Sequence, residues 1–182
     1  MELAKAQQDM NYAYHGGATG VLASGLIWAI AASVAIYSSQ WESMLALFFG
    51  GMLIHPLSML FSKLLKRPAK HHSKNPLAKL AIESLGLLFI GLFLAFTVAK
   101  LQADLFYPIM LLTIGGRYLV FSTLYGLSIY WVLGLVLIAI GALCILFNAS
   151  FITGVIAGSF VEVLFAIIIY FRTKKLLPVI DV

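Results

Sequence analysis

Long apolar runs separated by short polar stretches dominate this chain. Six runs are long enough to cross a bilayer, which takes about 20 mainly apolar residues in a helix. They predict spans over residues 18–37, 42–65, 76–99, 105–126, 127–147 and 151–171. The runs are continuous and rich in Leu, Ile, Ala and Phe, whereas a transmembrane β-barrel alternates apolar and polar residues. The pattern predicts an all-α polytopic membrane helix bundle of six transmembrane helices, in a single domain over residues 1–182.

Polar residues between the runs supply helix boundaries. Asn75 followed by Pro76 is typical of an N-cap and the first helical position. Asp104 is placed to cap the fourth span, and Ser150 the sixth. These residues support the predicted span limits.

Aromatic residues cluster near the ends of the spans. Tyr125 and Tyr130 fall at one predicted boundary, and Phe106 and Tyr107 fall at the other. This distribution predicts an aromatic belt at each membrane interface. Trp28 falls in the middle of a span, and we expect it to pack between helices.

Composition strengthens the membrane assignment. The chain is 62% hydrophobic and 10% charged, with a mean hydropathy of +1.02, against about 25% charged residues in soluble domains. The single cysteine, Cys144, cannot form an internal disulfide. The spans leave no room for a separate soluble domain.

Lysine and arginine residues fall mainly on one side of the predicted bundle. Six spans place both termini and the connection between the second and third spans on that side. It carries ten basic residues, the other side carries Lys100 alone, and Arg117 lies within a span. The positive-inside rule therefore predicts that the N- and C-termini are cytoplasmic. The ten are Lys5, Lys63, Lys66, Arg67, Lys70, Lys74, Lys79, Arg172, Lys174 and Lys175.

The basic loop of residues 66–75 and its flanks suggest contact with lipid. Anionic headgroups attract basic segments at a membrane surface, so we expect membrane lipids as partners and no nucleic acid. Within the loop, His71 and His72 lack a third ligand nearby, and no metal site or cofactor is predicted. The residues expected at the headgroups are Lys63, Lys66, Arg67, Lys70 and Lys74.

Four ionisable residues lie inside the apolar spans: His55, Glu83, Arg117 and Glu162. A charged group at the bilayer centre costs about 3 kcal/mol on insertion scales, so such residues are paired, hydrated or functional. Counting residues from the outer end of each span, at about 1.5 Å per residue, places all four in a slab about 6 Å thick. The counts predict one polar layer.

Small residues accompany these groups at helical spacing, which favours close helix contact. Gly51 precedes His55, Gly86 follows Glu83, and Gly154-x-x-x-Gly158 precedes Glu162. We expect these faces to point inward, where either glutamate can pair with Arg117. Two glutamates leave one excess negative charge, which a proton on His55 or on a glutamate would balance. The glycine pair can pack the sixth span internally or in a homodimer.

Motifs of nucleotide, zinc-protease and serine-hydrolase chemistry are absent from the sequence, and no enzyme is predicted. The leading hypothesis is a small transporter or channel-like protein for a small solute or ion, with the four groups binding substrate or a proton. The alternative is a structural or sensory membrane protein whose cluster only fixes helix packing. An intramembrane enzyme, which would need a lateral opening near His55, is the third interpretation.

Several segments resemble an uncharacterised bacterial family of small six-span membrane proteins, classed as a domain of unknown function. The resemblance implies a multi-pass protein of the cell inner membrane and supplies no activity. It also implies variable residues at positions 55 and 117, which argues against a fixed catalytic role for either. The segments are Gly-Gly-Met-Leu-Ile-His-Pro-Leu (50–57), Ser-Lys-Leu-Leu-Lys (62–66), Asn-Pro-Leu-Ala-Lys-Leu (75–80), Gly-Gly-Arg-Tyr-Leu-Val-Phe (115–121) and Leu-Tyr-Gly (124–126).

Overall fold

A computed structural model describes residues 1–176 of the chain, with side chains as far as Lys174. The side chain of Lys175, counted above for topology, lies outside the described part. Residues 1–176 contain helices and no strand. The α-helices are α1 (Leu3–Tyr14), α2 (Ala18–Tyr37), α3 (Gln40–Leu64), α4 (Leu77–Ala99), α5 (Phe106–Tyr125), α6 (Ile129–Leu146) and α7 (Phe151–Leu176).

The six predicted spans correspond to helices α2–α7. Within the described residues, six helical segments are long and apolar enough to cross a membrane, which confirms the all-α, six-span prediction. The last of them, α7, continues to Leu176, beyond the predicted limit at residue 171. The protein is therefore a multi-pass membrane protein.

Local side-chain bonds explain several helix starts. Ser39 accepts a hydrogen bond of 3.2 Å from the backbone N–H of Glu42 in the first turn of α3. The side-chain oxygen of Asn75 accepts one of 3.0 Å from the N–H of Leu77, as its position before Pro76 predicted. Ser150 accepts one from the N–H of Thr153 in α7. Each bond satisfies a donor that the first turn of a helix leaves free.

Asp104 does not cap the fourth span, contrary to the prediction. Its Oδ1 accepts a hydrogen bond of 2.9 Å from the backbone N–H of Phe151, at the start of α7. Asp104 lies within the short 3₁₀ turn Ala103–Leu105, and Leu105 instead precedes the first residue of α5. The carboxylate thus serves a helix 47 residues away, and it lies at the positive end of that helix dipole.

The helices pack as two groups joined through α7. The most extensive contacts are those of α2 with α7 and α3, and those of α5 with α6 and α4. Helix α7 then contacts both α5 and α6. Helices α3 and α4 are therefore peripheral, because each packs mainly against a single neighbour.

Helix α1 lies across one end of the bundle. It bonds to the end of α5, where Asn11 Nδ2 donates to the carbonyl of Tyr125 at 2.7 Å. It also holds the loop before α4, where Asp9 accepts from the N–H of His72 at 2.9 Å and from Asn75 Nδ2 at 2.7 Å. We call the end formed by α1, the loop of residues 65–76 and the C-terminal turns of α7 the basic end.

The expected aromatic belt is wrong for four of its members. Phe106, Tyr107 and Tyr130 are fully buried, and Tyr125 is buried as well. The hydroxyl of Tyr107 bonds to Ser43 of α3, and that of Tyr130 donates to a backbone carbonyl. Phe106 and Tyr125 pack against other aromatic rings. Trp28 is 1% exposed and lies between α2, α5 and α7, as predicted.

Candidate functional site

Glu162 is the most deeply placed of the four predicted groups, with 1% of its surface exposed. Two glycines on the same face of α7 allow this. A Cβ at Gly158 would collide with the ring of Trp28, and a Cβ at Gly154 would lie 2.9 Å from Tyr107 Cβ. The face carrying Glu162 therefore approaches α2 and α5 closely. The Gly154-x-x-x-Gly158 pair packs inside the chain, which is one of the two arrangements that the sequence allowed, and a homodimer stays an untested alternative.

A glycine of α2 also allows close packing against α7. A Cβ at Gly25 would lie 2.8 Å from Val163 Cγ2 and 3.2 Å from Glu162 Cβ. Ser159 also donates a hydrogen bond of 3.0 Å to the carbonyl of Gly25. These contacts fix the position of α7 along the axis of α2, and so they fix the depth of the Glu162 carboxylate.

The two oxygens of Glu162 have different environments. Oε1 accepts a hydrogen bond of 2.7 Å from the hydroxyl of Tyr118 on α5. Oε2 is buried and has no hydrogen-bond partner in the described part of the chain. Ser24 on α2 is close enough to the carboxylate to act on it as a donor, but no hydrogen bond of regular geometry joins the two in the described residues. Buried polar atoms almost always have a partner, so this orphaned oxygen marks the site.

A column of tyrosines connects Glu162 with the basic end. The rings of Tyr118 and Tyr130 stack at 5.9 Å between centroids, and those of Tyr125 and Tyr130 at 5.5 Å. The hydroxyl of Tyr130 donates to the carbonyl of Gly16 at 2.7 Å. Gly16 and Gly17 form the turn between α1 and α2 with positive φ angles of 64° and 82°. Gly17 of this turn lies directly against Tyr125 and Tyr130, where a side chain would collide with both residues.

Arg117 lies next to this site but does not pair directly with a glutamate. Its Nε donates to Ser84 Oγ on α4 at 3.2 Å, and its guanidinium lies 5.2 Å from the ring centroid of Phe121. Arg117 directly precedes Tyr118, whose hydroxyl bonds to Glu162. Hence α4, α5 and α7 each contribute one polar group at this place: Ser84, Arg117 and Glu162.

His55 and Glu83 do not join them. Both side chains are exposed, so the expectation that all four groups face inward is wrong for these two. A Cβ added at Gly51 or at Gly86, the glycines beside them, would meet no atom within 4 Å. The cause is the peripheral position of α3 and α4, whose flanks have no neighbour to pack against.

Sequence reasoning missed Tyr118 and Ser84. Tyr118 is adjacent to Arg117 in the sequence and is 5% exposed. A tyrosine in the middle of a span, where a hydroxyl needs a partner, was the available signal. Serines are too common in membrane helices for Ser84 to be distinguished in this way. In residues 1–176, no group of three or more His, Cys, Asp or Glu residues could hold a metal ion.

Comparison with known proteins gives a family match. A model described as a family of unknown function (DUF7010) matches residues 3–172, which include every residue of the site. The match confirms the resemblance to an uncharacterised family. No curated protein and no solved structure matches the chain.

Proposed function

The chain belongs to the DUF7010 family of unknown function, and from its own residues we propose that it is a proton-coupled transporter of a small solute or ion. Glu162 is the proton-binding residue, and Arg117 supplies positive charge for an anionic group. His55 and Glu83, which the sequence placed in the same cluster, have no part in this proposal. No catalytic step is involved.

The unpartnered Oε2 of Glu162 carries the proposal. A carboxylate that only locked two helices together would be expected to have both oxygens bonded, because an unpaired buried charge is costly. Here Tyr118 satisfies one oxygen, and the other has the hydroxyl of Ser24 nearby but no hydrogen bond of regular geometry. Desolvation favours the neutral form of a buried carboxyl group. A proton on Oε2 would lower the cost of burial and would leave when the site becomes hydrated.

The surroundings of Glu162 support exchange with one side of the membrane. The hydroxyls of Tyr118 and Tyr130 are polar groups on the way from the carboxylate to the turn at Gly16. In this proposal, water reaches Glu162 along the tyrosine column when α5 and α7 separate. The basic end faces the cytoplasm of a bacterial cell and the protein lies in the inner membrane, as the positive-inside rule and the resemblance imply.

A flux measurement tests the proposal. The purified protein is reconstituted in liposomes containing a pH-sensitive dye, and proton movement is followed after a pH gradient is imposed. The assay is repeated with inorganic phosphate or succinate on one side as the anionic solute. We expect Glu162→Gln to abolish protein-dependent flux and Tyr118→Phe to reduce it.

Glu83→Gln is the matched control, because it makes the same chemical change at an exposed position. Flux through this variant should equal that of the wild type. The proposal is wrong if Glu162→Gln and Arg117→Ala both fold and leave flux unchanged.

The alternative is that the protein is structural or sensory. The Tyr118–Glu162 bond favours it, since this bond joins α5 to α7 and so connects the two groups of helices. Under this alternative, Glu162→Gln changes the stability of the folded protein and no flux depends on it. The two measurements together separate the functions.

A further inference from the structure

A groove of about 400 Å³ opens on the lipid-facing surface near the basic end, between α2, α3 and α7. Its walls are almost entirely apolar and include Leu22, Phe61, Leu64, Ala166 and Tyr170. Leu64 is 70% exposed, so the groove is open to the side. The volume is within the range of small-molecule sites, about 300–1,000 Å³.

Polar groups close the groove at the basic end. His15 is 3% exposed and stacks on Tyr170 with 4.6 Å between ring centroids. Its Nδ1 is 2.8 Å from Thr173 Oγ1. Because Tyr170 lines the groove and also contacts His15, the apolar wall and the polar end are continuous.

Two cations are gathered at this end. Burial lowers the pKa of His15, and the nearby positive charges of Arg67 and Lys174 lower it further. Arg67 follows the groove residue Leu64 by three positions, at the end of α3. Arg67 lies over the ring of Tyr12, 5.3 Å from its centroid, and its buried Nε has no hydrogen-bond partner in the described residues. Lys174 is exposed and follows Tyr170 by one helical turn. The cluster thus has an unsatisfied hydrogen-bond donor and an excess of positive charge beside the apolar groove.

We propose that the groove binds an anionic phospholipid, with an acyl chain between α2, α3 and α7 and the phosphate at Arg67 and Lys174. Charge complementarity selects the occupant, since arginine binds phosphate through charge-assisted hydrogen bonds and basic clusters attract anionic headgroups. The apolar groove beside the cations favours a lipid over a free phosphate ion. This site is separate from Glu162 and does not depend on the proposed transport.

Native mass spectrometry of the full chain in detergent tests the site. Phosphatidylglycerol and phosphatidylcholine with identical acyl chains are compared, and glycerol 3-phosphate serves as the phosphate without a chain. We expect one phosphatidylglycerol to bind at least about tenfold more tightly than phosphatidylcholine, which corresponds to about 1.4 kcal/mol. The double variant Arg67→Gln/Lys174→Gln should abolish this preference.

Lys63→Gln/Lys70→Gln is the control, since it removes two exposed charges from the same end and should keep the preference. An equal loss in this control would show diffuse attraction and overturn the proposal. Equal binding of phosphatidylcholine, or equally tight binding of glycerol 3-phosphate, would also overturn it.

A groove variant keeps the test decisive if the charge variant does not fold. Leu22→Trp narrows the groove while leaving both cations in place. It should weaken phosphatidylglycerol binding about tenfold or more, and unchanged binding in this variant would exclude the groove as the acyl-chain site.

Discussion

The hydroxyl of Tyr118 donates a hydrogen bond of 2.7 Å to Glu162 Oε1, and this bond joins α5 to α7 inside the membrane. Both residues are at least 95% buried. The pair therefore connects the group of α2, α3 and α7 with the group of α4, α5 and α6. It also orients the carboxylate so that its second oxygen is the one left without a partner.

Removing the Tyr118 hydroxyl should destabilise the protein. Tyr118→Phe leaves both oxygens of Glu162 without a donor, and we expect a loss of about 1–2 kcal/mol in the free energy of unfolding. Polar pairs between membrane helices are worth about 0.6 kcal/mol on average, so the upper part of this range would indicate an unusually important bond. Thermal unfolding in detergent measures the effect. Tyr37→Phe, at a residue 88% exposed, is the control and should change nothing.

The contact of Gly158 with Trp28 should tolerate no side chain. Gly158→Ala places a Cβ against the indole ring, and overpacking of this kind costs about 1–3 kcal/mol. Gly86→Ala is the matched control because a Cβ there meets open space, and better helix propensity should make it neutral or slightly stabilising. Combining Gly158→Ala with Trp28→Leu should restore part of the lost stability. Equal melting temperatures for the two single alanine variants would contradict the packing.

Spin labels at positions 55 and 83 should be surrounded by lipid rather than by water. In a Cys144→Ala background, spin labels at His55→Cys and Glu83→Cys should be more accessible to dissolved oxygen than to a water-soluble nickel complex. Phe93→Cys, at a lipid-exposed residue of α4, gives the lipid reference, and Lys63→Cys gives the aqueous one. High nickel accessibility at His55 would mean that a hydrated path reaches this residue, and the proposed route along the tyrosines would then be incomplete.

The sequence was informative where composition alone decides the outcome. A carboxylate inside a long apolar run has few ways to be stable in lipid, which made Glu162 and Glu83 equal candidates. Only Glu162 is buried. Trp28 was predictable for a similar reason, since it lies far from both interfaces. Six spans followed from the length of the apolar runs.

The sequence did not predict whether a given face of a helix points into the bundle or toward lipid. Glycine beside an ionisable residue indicates close packing on α7, where Gly158 meets Trp28, but on α3 the same pattern at Gly51 and His55 faces outward. The difference depends on which helices become central, and that follows from tertiary contacts. Asp104 shows the same limit, because its partner Phe151 is distant in sequence.

The carboxylate of Asp9 holds the basic loop against α1. It accepts hydrogen bonds from the N–H of His72 and from Asn75 Nδ2. Asp9→Ala removes both acceptors, and since bonds to charged groups are worth more than neutral ones, we expect a local loss of about 1–2 kcal/mol. Segments of low local stability open more often, so trypsin should cleave residues 66–75 faster in this variant. Glu2→Ala removes the same charge from an exposed residue and should leave cleavage unchanged. Equal cleavage in the two variants would mean that Tyr14, whose hydroxyl is 2.9 Å from His71 Nδ1, is sufficient to hold the loop.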